Sequence, residues 1–223
     1  MKYKAFTNRN IFDFPQIDKL SEEQKDAIQI VSRVLPFKTN NYVIDELINW
    51  DQFENDPMYI LNFPQKEMLP ADAFDNLKKM IDQGNPKEKI ARQVHDIRLE
   101  MNPHPAGQLE HNVPTLNGEN VQGIQHKYRE TMLFFPSQGQ TCHAYCTFCF
   151  RWPQFTGMSD IKFAMKQTDL LVEYLKQNEE ITDILITGGD PMVMKGSILK
   201  NYIDALLEAD IPHLKTIRIG TKS

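Results

Sequence analysis

Cys142, Cys146 and Cys149 are the only cysteines of the 223-residue chain, and they fall within eight residues as Cys-x3-Cys-x2-Cys. An odd number of thiols cannot pair off completely in disulfides. Clustered this tightly, they point to a metal or to redox chemistry, because thiolates favour zinc and iron–sulfur clusters. Three ligands are one short of a closed tetrahedral zinc site, and one short of a fully ligated four-iron cluster. An iron–sulfur cube held by three thiolates keeps one iron open to a small molecule. The competing readings are a zinc site completed by His143 or His126, and three unliganded thiols. His143 lies inside the motif, where joint ligation with Cys142 is awkward.

A second candidate is Ile186-Thr187-Gly188-Gly189-Asp190-Pro191, which follows an apolar run. Two glycines after a strand usually make only a turn. They also let the backbone approach a ligand closely, and Asp190 adds a carboxylate. The motif gains weight from its position, one β-α unit beyond the cysteines.

The elements that position these groups read as α/β. Residues 131–135 form a short apolar run ended by Pro136, which predicts a buried strand with the cysteine loop at its C-terminal end. Strand ends of that kind are where open α/β sheets and barrels place their sites. Ser159-Asp160 predicts a helix cap, with Ile161, Met165, Thr168, Val172 and Leu175 on the inner face. Ile184-Leu185-Ile186 reads as a parallel strand covered on both faces. Ser197 predicts the next cap, ahead of Leu199, Ile203 and Leu206, and residues 215–220 predict a further strand. The β-α-β-α-β order predicts a parallel sheet or barrel over residues 125–223.

Residues 1–124 read as a helical subdomain with a wrapping arm. Ser21 and Gln24 fit a capping box, followed by Ile28, Val31 and Leu35 at helical spacing and a stop at Pro36. A short helix is predicted over 42–50, then a loop carrying Pro57, Pro64 and Pro70. A helix over 72–83 stops at Gly84. Asn85-Pro86 reads as the N-cap and first residue of a fourth helix, with Ile90, Val94, Ile97 and Met101 on one face. Residues 102–124 carry loop signals, among them Asn117-Gly118.

Composition narrows the function. With 41% hydrophobic residues the chain can bury a core, which excludes a disordered tail. A net charge of −5 argues against bulk attraction to nucleic acid or an anionic membrane. No apolar run reaches membrane-spanning length, and the first residues lack the apolar stretch of a signal peptide, so the expected location is cytoplasmic.

Cys-x3-Cys-x-aromatic-Cys, with Phe148 in the aromatic position, resembles the signature of the radical S-adenosylmethionine (SAM) enzymes. The resemblance implies that the three cysteines hold a 4Fe–4S cluster whose open iron binds SAM. One electron then cleaves the sulfonium and releases a 5′-deoxyadenosyl radical. Thr187, Gly188, Gly189 and Asp190 are similar to that superfamily's SAM-binding Gly-Gly-Glu motif. Four finer stretches resemble the lysine 2,3-aminomutase-like branch: His126-Lys127-Tyr128, Cys149-Phe150-Arg151, the Gly-Gly-Asp strand end, and residues 217–222. The branch implies Arg151 as the grip on a substrate carboxylate. It also implies pyridoxal phosphate, with Lys127 and Tyr128 beside it.

The sequence departs from the branch where two arginines would bind that cofactor's phosphate, since Lys127 and Thr131 stand there; Lys127 still offers a point charge, Thr131 only a hydroxyl, and Arg129 is a neighbouring substitute. With the cofactor, a 1,2-amino shift is expected; without it, a different radical reaction. The implied partners are an amino-acid substrate and an electron donor such as flavodoxin or ferredoxin, with an oligomer left open. Three strands are half of the six expected of a radical SAM (β/α)6 barrel, a TIM-like fold, so the chain reads as the N-terminal half of a longer protein. Its catalytic residues are not assigned by the sequence. A relative acting on a protein-bound lysine, as in the modification of elongation factor P, an inactive fragment, and a zinc-binding interaction module are the alternatives.

Overall fold

A computed structural model describes residues 2–102, 111–149, 151–157 and 163–222. The chain divides into two compact units, and the division is not a single cut. Unit 1 is Met1–Pro103 with His143–Thr156; unit 2 is His104–Cys142 with Gly157–Ser223.

Unit 1 opens with strand β1 (Ala5–Thr7), helix α1 (Glu22–Val34) and strand β2 (Lys38–Asn40), which pairs antiparallel with β1. The capping box at α1 is complete: the Ser21 hydroxyl accepts from Gln24 N–H, and Gln24 Oε1 accepts from Ser21 N–H. α1 buries two faces. Ile28 joins an aromatic-rich cluster with Phe6, Phe14, Phe37 and Phe63. Ile30, Val31 and Val34 join a second cluster with residues of α3 (Ala71–Asp82) and α4 (Lys87–Met101). Each such side chain contributes about 1.5–3 kcal/mol by leaving water.

Three expectations for this unit need correction. The short helix expected over 42–50 is shorter than that, a π-helical segment at Val43–Leu47. The Pro57 segment is not a loop but helix α2 (Pro57–Asn62), because Asp56 caps Met58 and Tyr59 N–H and Pro57 fits the first turn. The fourth helix begins one residue late, with Pro86 itself at the cap. The stop at Gly84 stands, with φ at +66°.

Unit 2 holds a small hairpin, β3 (Thr115–Leu116) and β4 (Glu119–Asn120), turned by Asn117-Gly118 with φ positive at both residues. A four-stranded sheet follows in the order β5 (Ile124–Gln125), β6 (Thr131–Phe134), β7 (Asp183–Ile186), β8 (Thr216–Ile219). β5 is antiparallel to β6, and β6, β7 and β8 are parallel. Helices α5 (Thr168–Gln177) and α6 (Gly196–Glu208) supply the crossovers. Met132, Phe134, Ile184 and Ile186 face one side and form the core with Leu171, Leu175 and Leu206. The mixed α/β class is therefore present.

The expected Ser159-Asp160 cap and Ile161 lie outside the described residues. Met165 is not helical: it bridges Pro136 as an extended residue, and α5 starts at Thr168. Ser197 lies inside α6, which starts one residue before it.

Candidate functional site

In unit 1 the cysteine loop is tied down by backbone groups. Tyr145 N–H donates to Lys38 C=O at 2.8 Å, and Thr147 N–H to Leu61 C=O at 2.8 Å. Asn40, 5% exposed, donates from Nδ2 to His143 C=O at 3.3 Å. Tyr145 stacks on Phe155 with ring centres 4.9 Å apart. Cys149 N–H donates to Cys146 C=O at 3.1 Å, so the Cys-x2-Cys stretch is a tight turn. Cys146 and Cys149 are half-buried and line a cavity of about 300 Å³ walled by Phe37, Met68, Phe148 and Trp152. Two thiols on an apolar wall suit a water-excluding iron–sulfur group better than a hard cation.

In unit 2 the Gly-Gly-Asp turn packs on residues 139–141, which lead into Cys142. Gly139 C=O accepts from both Gly189 and Asp190 N–H, each at 3.1 Å. A Cβ at Gly189 would stand 2.3 Å from Thr141 O and 2.5 Å from Thr141 N, so only glycine lets this backbone lie against the other. Gly188 has φ +150° and sits against the Gln140 carboxamide. Thr141 precedes Cys142, which is also half-buried. The start of the cysteine loop is thus fixed directly on the Gly-Gly-Asp turn. Asp190 is 1% exposed, and its carboxylate is engaged by Met192, Thr221 and Lys222.

Comparison with known proteins now bears on this pairing. No protein-family model matches the chain. A putative L-lysine 2,3-aminomutase of Aquifex aeolicus is 29% identical over 95% of the chain and 45% of its own length. The L-lysine 2,3-aminomutase of Haemophilus influenzae is 31% identical over 85% of the chain and 58% of its own length. That of Acetoanaerobium sticklandii is 31% identical over 74% of the chain and 40% of its own length. The chain is a homologue of the L-lysine 2,3-aminomutases. It spans about half the length of the curated relatives it matches, and their name agrees with the radical SAM family that the cysteine spacing resembles.

For this aminomutase homologue the remaining expected residues divide. Arg151, in unit 1, is 8% exposed and donates to Gln154 Oε1. Burial pulls its pKa down to about 10, partly offset by neighbouring Cys149. A buried guanidinium of this kind can grip a carboxylate. Phe150 of that stretch lies outside the described residues.

Lys127 and Tyr128 lie between β5 and β6, at the end of the sheet opposite the Gly-Gly-Asp turn. The Lys127 ammonium sits 5.6 Å from the Tyr128 ring centre. His126 is committed: Nε2 donates to Arg129 C=O at 3.1 Å and Nδ1 lies 2.7 Å from the Tyr174 hydroxyl. The Thr131 hydroxyl donates to Asp183 at 2.9 Å, and Asp183 is also paired with Arg218. A lysine over a ring and a hydroxyl committed to a carboxylate stand where the branch has two arginines, and Arg129 is exposed between them.

Several contributors were not singled out from sequence. Gly139 and Thr141 hold the site through backbone groups, which carry no residue-type signal, and Asn40 through its side-chain amide.

Proposed function

We propose that this chain carries the cluster- and SAM-binding portion of a radical SAM enzyme that takes a hydrogen atom from an amino-acid substrate, with the sheet as part of a (β/α)6 barrel. The observation that carries the reading is the seating of the Cys142-side loop on Gly189, where a side chain would be excluded. Cys142, Cys146 and Cys149 hold the cluster; Thr187, Gly188 and Gly189 form the SAM seat, closed by Asp190; Arg151 binds the substrate carboxylate. When bound, the cluster supplies the electron that cleaves SAM. The chain's own groups orient and exclude water: the apolar wall around Cys146 and Cys149 keeps solvent from the cluster, and the glycines let the turn close on Gln140 and Thr141 beside Cys142. No step is assigned to pyridoxal phosphate, so the amino shift of the named relatives is not carried over. A flavodoxin- or ferredoxin-type donor would supply the electron.

Anaerobic reconstitution tests this. The wild type is expected to take up about four irons and four sulfides, the content of one cube, and its reduced EPR signal is expected to change when SAM is added. Cys146→Ser should reduce iron to background. Uptake of zinc without iron and sulfide, or an EPR signal indifferent to SAM, overturns the reading.

A further inference from the structure

The spacer that leads from Cys142 to Cys146 is docked on unit 1 at each of its three residues. Tyr145 N–H donates to Lys38 C=O of β2 at 2.8 Å. Ala144 is 1% exposed and joins the aromatic cluster of Phe6, Phe14, Phe37 and Phe63. His143 is held twice: its ring meets the Tyr3 ring edge-on, with centres 6.4 Å apart, and its C=O accepts from Asn40 Nδ2 at 3.3 Å. The next interval, Cys146 to Cys149, has a different anchor. Thr147 gives its N–H to Leu61 C=O at 2.8 Å and its hydroxyl to Ile60 C=O at 3.1 Å, both in α2.

Among these anchors Asn40 is the buried side chain, and both ends of its amide are in use. Oδ1 accepts from Val43 N–H at 3.1 Å, where the π-helical segment begins. A main-chain carbonyl only accepts and an N–H only donates, so the two partners leave the amide a single orientation. Asn40 stands on β2 beside Lys38 and Thr39, and water cannot replace either partner at so low an exposure. Side chains of similar size fail at one task or both. An ionised aspartate caps Val43 but has no proton for His143, and leucine serves neither.

We infer that Asn40 is a positioning residue for the cluster: its amide keeps the Cys-x3-Cys spacer on β2, so that Cys146 is preset before iron arrives. This rests on the cluster reading above and extends it, since a residue a hundred positions upstream of the thiol motif takes a share in retaining iron.

The test combines hydrogen exchange in the cluster-free protein with iron loss to EDTA from the anaerobically reconstituted protein. Asn40→Asp keeps the acceptor for Val43 N–H and loses the donor to His143 C=O. It is expected to speed Tyr145 amide exchange about tenfold and iron loss by a similar factor, with the Val43 and Thr147 amides exchanging as in wild type. Asn40→Ala removes both bonds and should release Val43 as well; the Asp variant carries the test alone if the Ala variant does not fold. Wild-type iron retention in Asn40→Asp overturns the assignment, whether or not Tyr145 is released. Tyr145, Val43 and Thr147 all speeding together also overturns it, because the side chain is then only part of the general packing of unit 1. A wild type that takes up no iron and sulfide is a failure of the proposed function. It is told apart from a failure of the Asn40 contact by Tyr145 exchange, which needs no cluster.

Discussion

The cysteine loop of unit 1 and the Gly188–Asp190 turn of unit 2 are held in opposite ways. The loop is anchored through a few main-chain bonds to Lys38 and Leu61, and its side chains stay accessible: Cys146 and Cys149 are half-buried and Phe148 is 78% exposed. The turn is built with almost no slack, its acid buried and its glycine pressed onto Thr141. The difference follows from what each must meet. Metal ligands arrive on side chains with rotamers to adjust, whereas a seat made of main chain has only its backbone geometry to offer and must be fixed before the ligand comes.

The sharpest way to break that comparison is Gly189→Ala. Its new Cβ meets main-chain atoms of Thr141 that cannot rotate away, so unfolding stability should fall by about 3 kcal/mol in urea titrations. A loss under about 1 kcal/mol would show the turn to be as adaptable as the loop.

Acid should act at the other end of the same strand. The Arg218 guanidinium, and then the Thr131 hydroxyl, hold the Asp183 carboxyl below its ordinary value. A lowered folded-state pKa adds stability above the unfolded pKa of about 4, and that share is lost as pH falls through the lowered value. Melting temperature in wild type should therefore drop more steeply below about pH 4 than in Asp183→Asn. Parallel curves would remove the pair from the account of the sheet.

The smallest effect is expected on the loop. Phe148→Ala removes a ring that is 78% exposed, so apo-protein stability should move by no more than about 0.5 kcal/mol. A loss well beyond that would mean the loop is packed as firmly as the turn.

Much of this was legible beforehand where short-range chemistry decides. The capping box at Ser21, the stop at Gly84 and the β6 and β7 runs carry local signals, and each stands in the structure. Failures came where one residue type serves two ends. Pro57 reads as a breaker until Asp56 is seen to cap it, and Ser197 reads as a cap although α6 starts before it. Met165 sits at helical spacing but is taken by a bridge to Pro136, a partner 29 positions away that periodicity cannot register.

By itself the sequence determined the thiol set, its spacing, the glycine pair and the alternation of strand and helix, because these depend on residue type and near neighbours. Only the tertiary structure decided that Asp190 faces inward to Thr221 and Lys222, that Gly189 clears the way for Thr141, and that Pro136 bridges Met165. Those are relations between strands brought side by side by the crossover, and hydrogen bonding across a parallel ladder is set by register, which no single segment contains.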